Sequence, residues 1–386
     1  MTTAFRIASS LTTETRPARA LKLGVLTPHN PYDKRAFSGT VYHAVRALSD
    51  RSDLDLNILG PHQPVGLTSQ LLRRRSPRFD PDMLADDGSD FMGLDAVVGL
   101  VASPLLDRAS QLTDLPLLHV TDATPGFLGE LYGHDIPAEN IEREARVVAC
   151  CNPLYSSRVM ADQAVEEFGA LAAHAQALPF GVNFTTLPND LPVKSPLDRV
   201  ELLFVGGNWK RKGGALMLAA FDRLRALGVD AHLTLVGGVP SHLAGPLKRR
   251  SDVTLTGFLD KNRPRHLAKL QALFARAYLF VLPTRADCTP MVVAEALAHG
   301  TPVLATDVGG IAEMVGPGAG RTLPLTASAS TWATTIAEMT RDQMVYDMMA
   351  DAATERTATH LNWDSWAEGI VRTVMETALP RMARVA

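Results

Sequence analysis

Residues Pro283 to Pro302 read PTRADCTPMVVAEALAHGTP, and within them two carboxylates, Asp287 and Glu295, stand eight positions apart. Asp287-Cys288-Thr289-Pro290 is a short polar loop. From Met291 the chain turns apolar and helix-forming, so residues 291–298 are predicted helical, with their first amides facing back toward the loop. Such amides lack intrahelical acceptors and carry a partial positive charge, which suits a phosphate. Glu295, two turns on, can accept hydrogen bonds from ribose hydroxyls. Residues 277–283 before the loop and 302–306 after the helix read as buried strands. The unit is therefore strand, loop, helix, strand.

The same rhythm extends in both directions. Residues 21–27 form a first strand candidate, followed by 54–59, 95–101, 117–120 and the shorter runs 147–150 and 177–179. Helical periodicity marks 40–48, 139–146 and 156–168 between them, the alternation expected of a parallel sheet covered on both faces. After Pro179 a polar, proline-bearing run, Pro188-Asn189-Asp190-Leu191-Pro192, interrupts the pattern. It restarts with strand 200–205, helix 215–227, strands 232–236 and 253–256, and helix 263–275. The expectation is an α/β chain in two domains. A loose tail covers 1–20, a first domain 21–185, a linker 186–198, a second domain 199–365 and a helical tail 366–386, entered through Trp363-Asp364-Ser365-Trp366.

A length of 386 residues suits two cores, at roughly 100–200 residues per domain. The formal net charge of −3, with 20% charged residues, gives no reason to expect nucleic acid as a partner. Cys150, Cys151 and Cys288 have neither metal-ligand spacing nor the pattern of a disulfide framework, so a reducing cytoplasm is the simplest location. The first 20 residues carry Arg6, Arg16 and Arg19 without an apolar core segment, and no run reaches the roughly 18 apolar residues of a membrane span. Leu71-Leu72-Arg73-Arg74-Arg75 offers at most a weak peripheral contact with the inner face of a membrane, and a solvated face is the simpler account. Asp86-Asp87-Gly88-Ser89-Asp90 lacks the register and distal Glu of a calcium loop, and no metal is expected.

Two loops bear on the chemistry of the opening segment. Phe204 to Gly214, FVGGNWKRKGG, follows a strand and precedes a helix; its glycines allow close approach of a ligand, and Arg211 and Lys212 supply charge for a diphosphate. A solvated basic turn is the alternative for that loop alone. Tyr32 to Thr40, YDKRAFSGT, opens the first helix, and Gly39 with its neighbouring amides can approach the same phosphates from the opposite domain. An ordinary N-cap by Ser38 or Thr40 accounts for it equally well, and both readings can hold.

The opening segment resembles the signature of the retaining GT-B glycosyltransferases of family four, roughly P-S-x-x-E-G-F-G-x-x-x-x-E-A-x-A-x-G-x-P-V-x-A-x-x-x-G-G. Pro283, Glu295, Ala296, Ala298, Gly300, Pro302, Val303, Ala305, Gly309 and Gly310 fall on that pattern. Asp287 takes the place of the first Glu, and Cys288-Thr289-Pro290 that of Gly-Phe-Gly. Lys212-Gly213 matches the Lys-Gly of the family's G-R-L-x-x-x-K-G, with Gly207 where the Arg usually stands and Arg211 beside it to compensate. The turn Thr306 to Glu313 is similar to one that lines the family's nucleotide site.

The resemblance implies two Rossmann-like domains facing a cleft, with a C-terminal helix returning to the first. It implies transfer from a nucleotide-diphosphate sugar to a sugar, glycan or glycolipid hydroxyl with retention of configuration, by front-face attack, without metal or other cofactor. Catalytic roles fall to Asp122, Arg211, Lys212 and Asp287, and donor binding to Gly39, Gly207, Arg211, Lys212, Asp287, Thr289, Pro290, Met291, Val292 and Glu295. Many relatives place a His near the donor sugar at the strand end His119 to Pro125, where either His119 or Asp122 can serve; Asp122, past the strand end, is favoured. Two rival functions stay open. A sugar-nucleotide epimerase of the same architecture needs a dedicated acid/base set that the sequence does not display, and the departures at Asp287 and Gly207 suit a non-catalytic nucleotide-sugar-binding protein. A dinucleotide dehydrogenase is a weaker reading still, because the first strand runs into Thr27-Pro28-His29-Asn30-Pro31 in place of a glycine fingerprint.

Overall fold

The computed structural model describes residues 19–60, 78–187, 194 and 199–385. The arginine run at 73–75 and most of the expected linker lie outside these residues. Strands β1 (Leu21–Leu26), β2 (Leu54–Leu59), β3 (Ala96–Leu100), β4 (Leu117–Thr121), β5 (Asn152–Tyr155) and β6 (Gln176–Ala177) form one sheet in the order β2-β1-β3-β4-β5-β6. A second sheet contains β7 (Val200–Gly206), β8 (Ala231–Gly237), β9 (Val253–Gly257), β10 (Leu279–Leu282), β11 (Val303–Thr306) and β12 (Gly320–Leu323), in the order β12-β11-β10-β7-β8-β9. Every pairing in both sheets is parallel.

Parallel strands are joined by crossovers, so each central strand is covered on both faces and reads as a continuous apolar run. The strand β3 is AVVGL and β10 is LFVL, and every residue of both is buried. In each sheet the strand order reverses once, between β1 and β3 and between β7 and β10. Loops leaving the carboxyl ends of strands at such a reversal diverge to opposite faces and leave a crevice for a ligand. The loops after β7 and β10 are the basic loop and the Asp287 loop.

Most expected elements form within one to three residues of their predicted ends. One does not: residues 147–150, predicted as a strand, finish helix Ala138–Cys150. Glu144, Val147, Val148 and Cys151 recur at helical spacing, and all four are buried. Buried Glu144 interrupts the apolar run, and its partner His119 is 25 positions away, which hid the helical face. The strand begins at Asn152 instead.

Helix Trp363–Val385 starts three residues before the predicted tail and crosses back to the first domain. Its first residue makes the junction. The Trp363 ring stacks on Phe180 at 5.9 Å and on His43 at 6.4 Å, and its Nε1–H donates to the Val182 carbonyl at 3.0 Å. Trp366 meets it edge-on at 5.2 Å. No helix among the described residues is long and apolar enough to cross a membrane.

Gly213 has φ +76, and a Cβ there would run into the Pro283 carbonyl, where the two site loops touch. Gly213→Ala is expected to cost about 2–3 kcal/mol in urea unfolding, from left-handed strain plus overpacking. Gly207 faces open space, with nothing within 4 Å of the added Cβ. Gly207→Ala is expected to stay within about 0.5 kcal/mol of the parent.

Candidate active site

A cavity of about 660 Å³ lies between the two domains. From the second domain it is lined by the ends of β7 and β8, by the loops that follow β7, β9 and β10, and by the start of helix Met291–Leu297. From the first domain come Lys34, Arg35, Phe37, Ser38, Thr40, Asp122, Tyr132 and Phe180.

Lys212 and Asp287, 75 positions apart, form an ion pair at the reversal between β7 and β10, and both are almost wholly buried. Arg211 Nη1 stands 3.4 Å from the same carboxylate oxygen, Oδ2, and donates to the Ala286 carbonyl at 2.8 Å. The backbone closes the same joint, since Arg285 N–H donates to the Arg211 carbonyl at 2.7 Å. Burial pulls the Lys212 ammonium below its usual range, and Asp287 opposes that pull. An ammonium has three donors, so Lys212 keeps capacity for an anionic ligand beside Asp287.

Glu295, fully buried on helix Met291–Leu297, gives Oε1 to the Lys261 ammonium. Its Oε2 has no hydrogen-bond partner among the described residues. Burial raises the Glu295 carboxyl above the ordinary range, while Lys261 and Lys212 work against that rise. Met291 and Val292 occupy the first two helical positions, where amides have no intrahelical acceptor. Thr289, Pro290, Met291, Val292 and Gly207 all line the cavity.

At the end of β4 the two candidates separate. His119 is completely buried, and its Nε2 lies 2.8 Å from Glu144 Oε1 inside the first domain. Asp122, half-buried one residue past the strand, lines the cavity. Burial, and then the negative charge of Asp287, push its carboxyl up to about 7. Among the described residues it has no ion-pair partner.

Gly39 is not among the lining residues, although Ser38 and Thr40 on either side are. Its part is conformational: φ is +93, after two non-glycine residues also in the left-handed region, Phe37 at +46 and Ser38 at +60. Asn183 Nδ2 holds that strained turn by donating to the Ser38 carbonyl at 3.1 Å. Gly309 and Gly310 do not line the cavity either. A Cβ on Gly309 would strike the backbone of Asp287 and Cys288, and Gly310 N–H donates to the Cys288 carbonyl at 2.9 Å. This glycine pair lets the chain pass directly beneath the Asp287 loop. The Asp86–Asp90 run is spent locally, with Asp86 paired to Arg108, Asp87 accepting from Ser89 N–H and Asp90 from Ala85 N–H.

Lys34, Arg35, Tyr132 and Lys261 line the cavity without having been assigned from the sequence. Lys34 and Arg35 lie in the loop Tyr32 to Thr40, of which the sequence pattern singles out only Gly39 and the capping residues. The polar turn after β9 was a usable signal for Lys261, but only the sheet order brings it to Glu295. With Arg211 and Lys212, these residues give five cationic side chains against three lining carboxylates, Asp122, Asp287 and Glu295, and the pairing of Arg35 with Asp33 behind the lining reduces that excess to one. Such a surplus in a walled cleft favours an anion.

Residues 199–342 match the family model described as glycosyl transferases group 1. Over those residues the chain resembles a group 1 glycosyltransferase domain. The chain is 25% identical over 276 residues to a D-inositol 3-phosphate glycosyltransferase of Paenarthrobacter aurescens, covering 67% of this chain and 65% of that one. It is 26% identical over 280 residues to a glycogen synthase of Mycobacterium tuberculosis, covering 69% and 64%. The chain thus spans slightly under two thirds of the length of these curated relatives. Among solved structures, HepE of Anabaena in complex with UDP superposes with a TM-score of 0.69 at 15% identity, over 92% of this chain and 100% of that one. Sucrose-phosphate synthase of Thermosynechococcus elongatus gives 0.67 at 17% identity, over 93% and 99%. The fold is GT-B, and the cavity is the cleft between its two Rossmann-like domains.

In this GT-B cleft the unpaired Asp122 carboxyl is expected to titrate near pH 7, because it faces Asp287 in a poorly solvated space. Asp287→Asn removes the facing negative charge, so the Asp122 midpoint is expected to fall. Carboxyl carbon NMR against pH reads this directly; an unchanged midpoint would mean that the two groups do not interact.

Proposed function

We propose that the protein moves a sugar from a nucleotide-diphosphate sugar to a hydroxyl acceptor, with retention of anomeric configuration. The observation that carries this reading is the meeting of Arg211, Lys212 and Asp287 at the strand reversal of the second domain, inside a cleft with surplus positive charge. The structures of HepE with UDP and with UDP-glucose share this fold and support a uridine nucleotide as the first donor to try.

Arg211 and Lys212 hold the diphosphate and stabilise the charge that grows on it as the glycosidic bond breaks. The free Oε2 of Glu295 takes the ribose hydroxyls. Asp287 and the amides following Thr289 hold the donor sugar. Asp287 and Glu295 are both tied to lysines, which leaves neither free as a nucleophile or a base. That favours front-face attack, with a leaving-phosphate oxygen receiving the acceptor proton. Asp122 stands on the first-domain side of the sugar and orients it. The two domains together exclude water, which protects the donor from hydrolysis.

Thermal stabilisation by UDP-, GDP- and ADP-sugars comes first: a donor at 100 times its Kd should add about 2.7 kcal/mol. With the donor so identified, Lys212→Ala is expected to lower kcat/KM by roughly 100-fold or more. Unchanged turnover would remove the diphosphate assignment. Asp287→Glu is expected to change the preference among donor sugars, whereas Glu295→Gln should weaken all donors of one base alike. NMR of the product anomer tests retention, and an inverted product would instead make Asp122 the general base. Change of the donor sugar without any acceptor present would indicate an epimerase.

A further inference from the structure

Lys261 is a built feature of the cleft with no role so far. It sits in the turn Asp260-Lys261-Asn262-Arg263 that follows β9, and four hydrogen bonds fix that turn. Asp260 Oδ1 accepts from Asn262 N–H at 2.9 Å, and the Asp260 carbonyl accepts from Arg263 N–H at 3.0 Å. Across the cleft, Asn262 Nδ2 donates to Asp33 Oδ1 at 2.8 Å, and Asn262 Oδ1 accepts from Lys34 N–H at 3.0 Å. The Lys261 backbone is thus held from both domains.

Its side chain is held as closely. The ammonium lies 5.6 Å from the centre of the Phe184 ring, which meets the His299 ring edge-on at 5.3 Å. From that position it reaches Glu295 Oε1 and leaves Oε2 buried and unbonded. A lysine there for the diphosphate alone would not need its charge spent on a fully buried carboxylate.

We propose that Lys261 is a positioning residue of the donor site, fixing Glu295 by one oxygen so that the other is held ready for the ribose hydroxyls. The inference rests on the ribose role of Glu295 given above. Its physical basis is that a carboxylate buried alone takes up a proton, and a protonated Glu295 would present one donor and a poorer acceptor. The charged and titratable groups facing Glu295 are Lys261 from the turn after β9, Lys212 from the loop after β7, and His299 in the turn that ends its own helix, whose Nδ1 lies 2.8 Å from the Glu295 carbonyl. Of these only Lys261 contacts the carboxylate.

The sign of the pH effect follows. Burial already raises Glu295, and Lys261 lowers it, so loss of Lys261 moves its protonation to higher pH. Difference infrared spectra of Lys261→Met against Lys261→Met/Glu295→Gln, and of the parent against Glu295→Gln, read the Glu295 carboxyl without any ligand. The midpoint is expected to rise by about one pH unit or more in Lys261→Met and to return in Lys261→Arg. UDP affinity by calorimetry should then fall about tenfold for each such unit, more at acid than at alkaline pH, with Lys261→Arg close to the parent. An unshifted midpoint in folded Lys261→Met overturns the proposal. So does a loss of UDP affinity that is equal at every pH, which would mark Lys261 as a direct ligand or a merely structural residue. If Glu295→Gln leaves UDP affinity intact, the ribose reading itself fails, while the infrared midpoint still decides whether Lys261 controls Glu295.

Discussion

Lys212 and Asp287 are two opposite charges held nearly out of water where β7 and β10 end side by side. Neither tolerates that place alone. Breaking a buried pair by removing one partner typically costs about 3–5 kcal/mol, because the other charge is left uncompensated. The loops that bring the pair together are therefore bound to each other along their length, by the Arg211 side chain on the Ala286 carbonyl and by the Arg285 amide on the Arg211 carbonyl. Gly213 sits where a side chain would strike the Pro283 carbonyl, and the Gly309-Gly310 turn passes under the same loop. The backbone closes around the two charges and keeps them together.

The Asp287 loop also joins the two domains. Cys288 belongs to an apolar cluster whose other members, among them Ala123, Tyr155 and Met160, come from the first domain. Thr289 Oγ1 lies 2.5 Å from Ser156 Oγ, and Glu313 Oε2 accepts from Arg158 N–H at 2.8 Å. Arg211 stacks under Tyr132 with its guanidinium carbon 5.3 Å from the ring centre. On the other side of the cleft, Asn262 grips the Asp33-Lys34 loop. These contacts make the closeness of the domains and the placement of Asp287 one mechanical problem. The departure from Gly-Phe-Gly to Cys-Thr-Pro thus has structural content: Cys288 and Thr289 are the residues that reach the first domain.

Much of the architecture was legible in the chain because α/β order is encoded locally. Apolar runs such as LFVL and AVVGL, separated by helical stretches, specify buried parallel strands without reference to anything distant. The failure at 147–150 has the same logic in reverse. The residue that would have revealed a helical face, Glu144, is a carboxylate made buriable by His119 on another strand, so its burial could not be inferred from its own neighbourhood. The expected role of Gly39 changed for a related reason, since whether a glycine lines a cavity or only turns the chain depends on what lies opposite it.

The sequence by itself determined the two α/β halves, the basic loop, the Asp287–Glu295 segment and the helix between them, since hydrogen-bonding periodicity and turn chemistry act over a few residues. Only the tertiary structure decided which charges face one another. Lys212 finds Asp287 because β7 and β10 are neighbours in a sheet whose order is not the chain order, and Lys261 finds Glu295 because the turn after β9 folds over the helix that follows β10. Asp122 faces the cleft while His119 does not, because His119 lies inside β4, which is buried on both faces, whereas Asp122 stands one residue beyond the strand end. Electrostatic partners in a poorly solvated cleft are chosen by distance in space, and in a parallel fold that distance is set by sheet order.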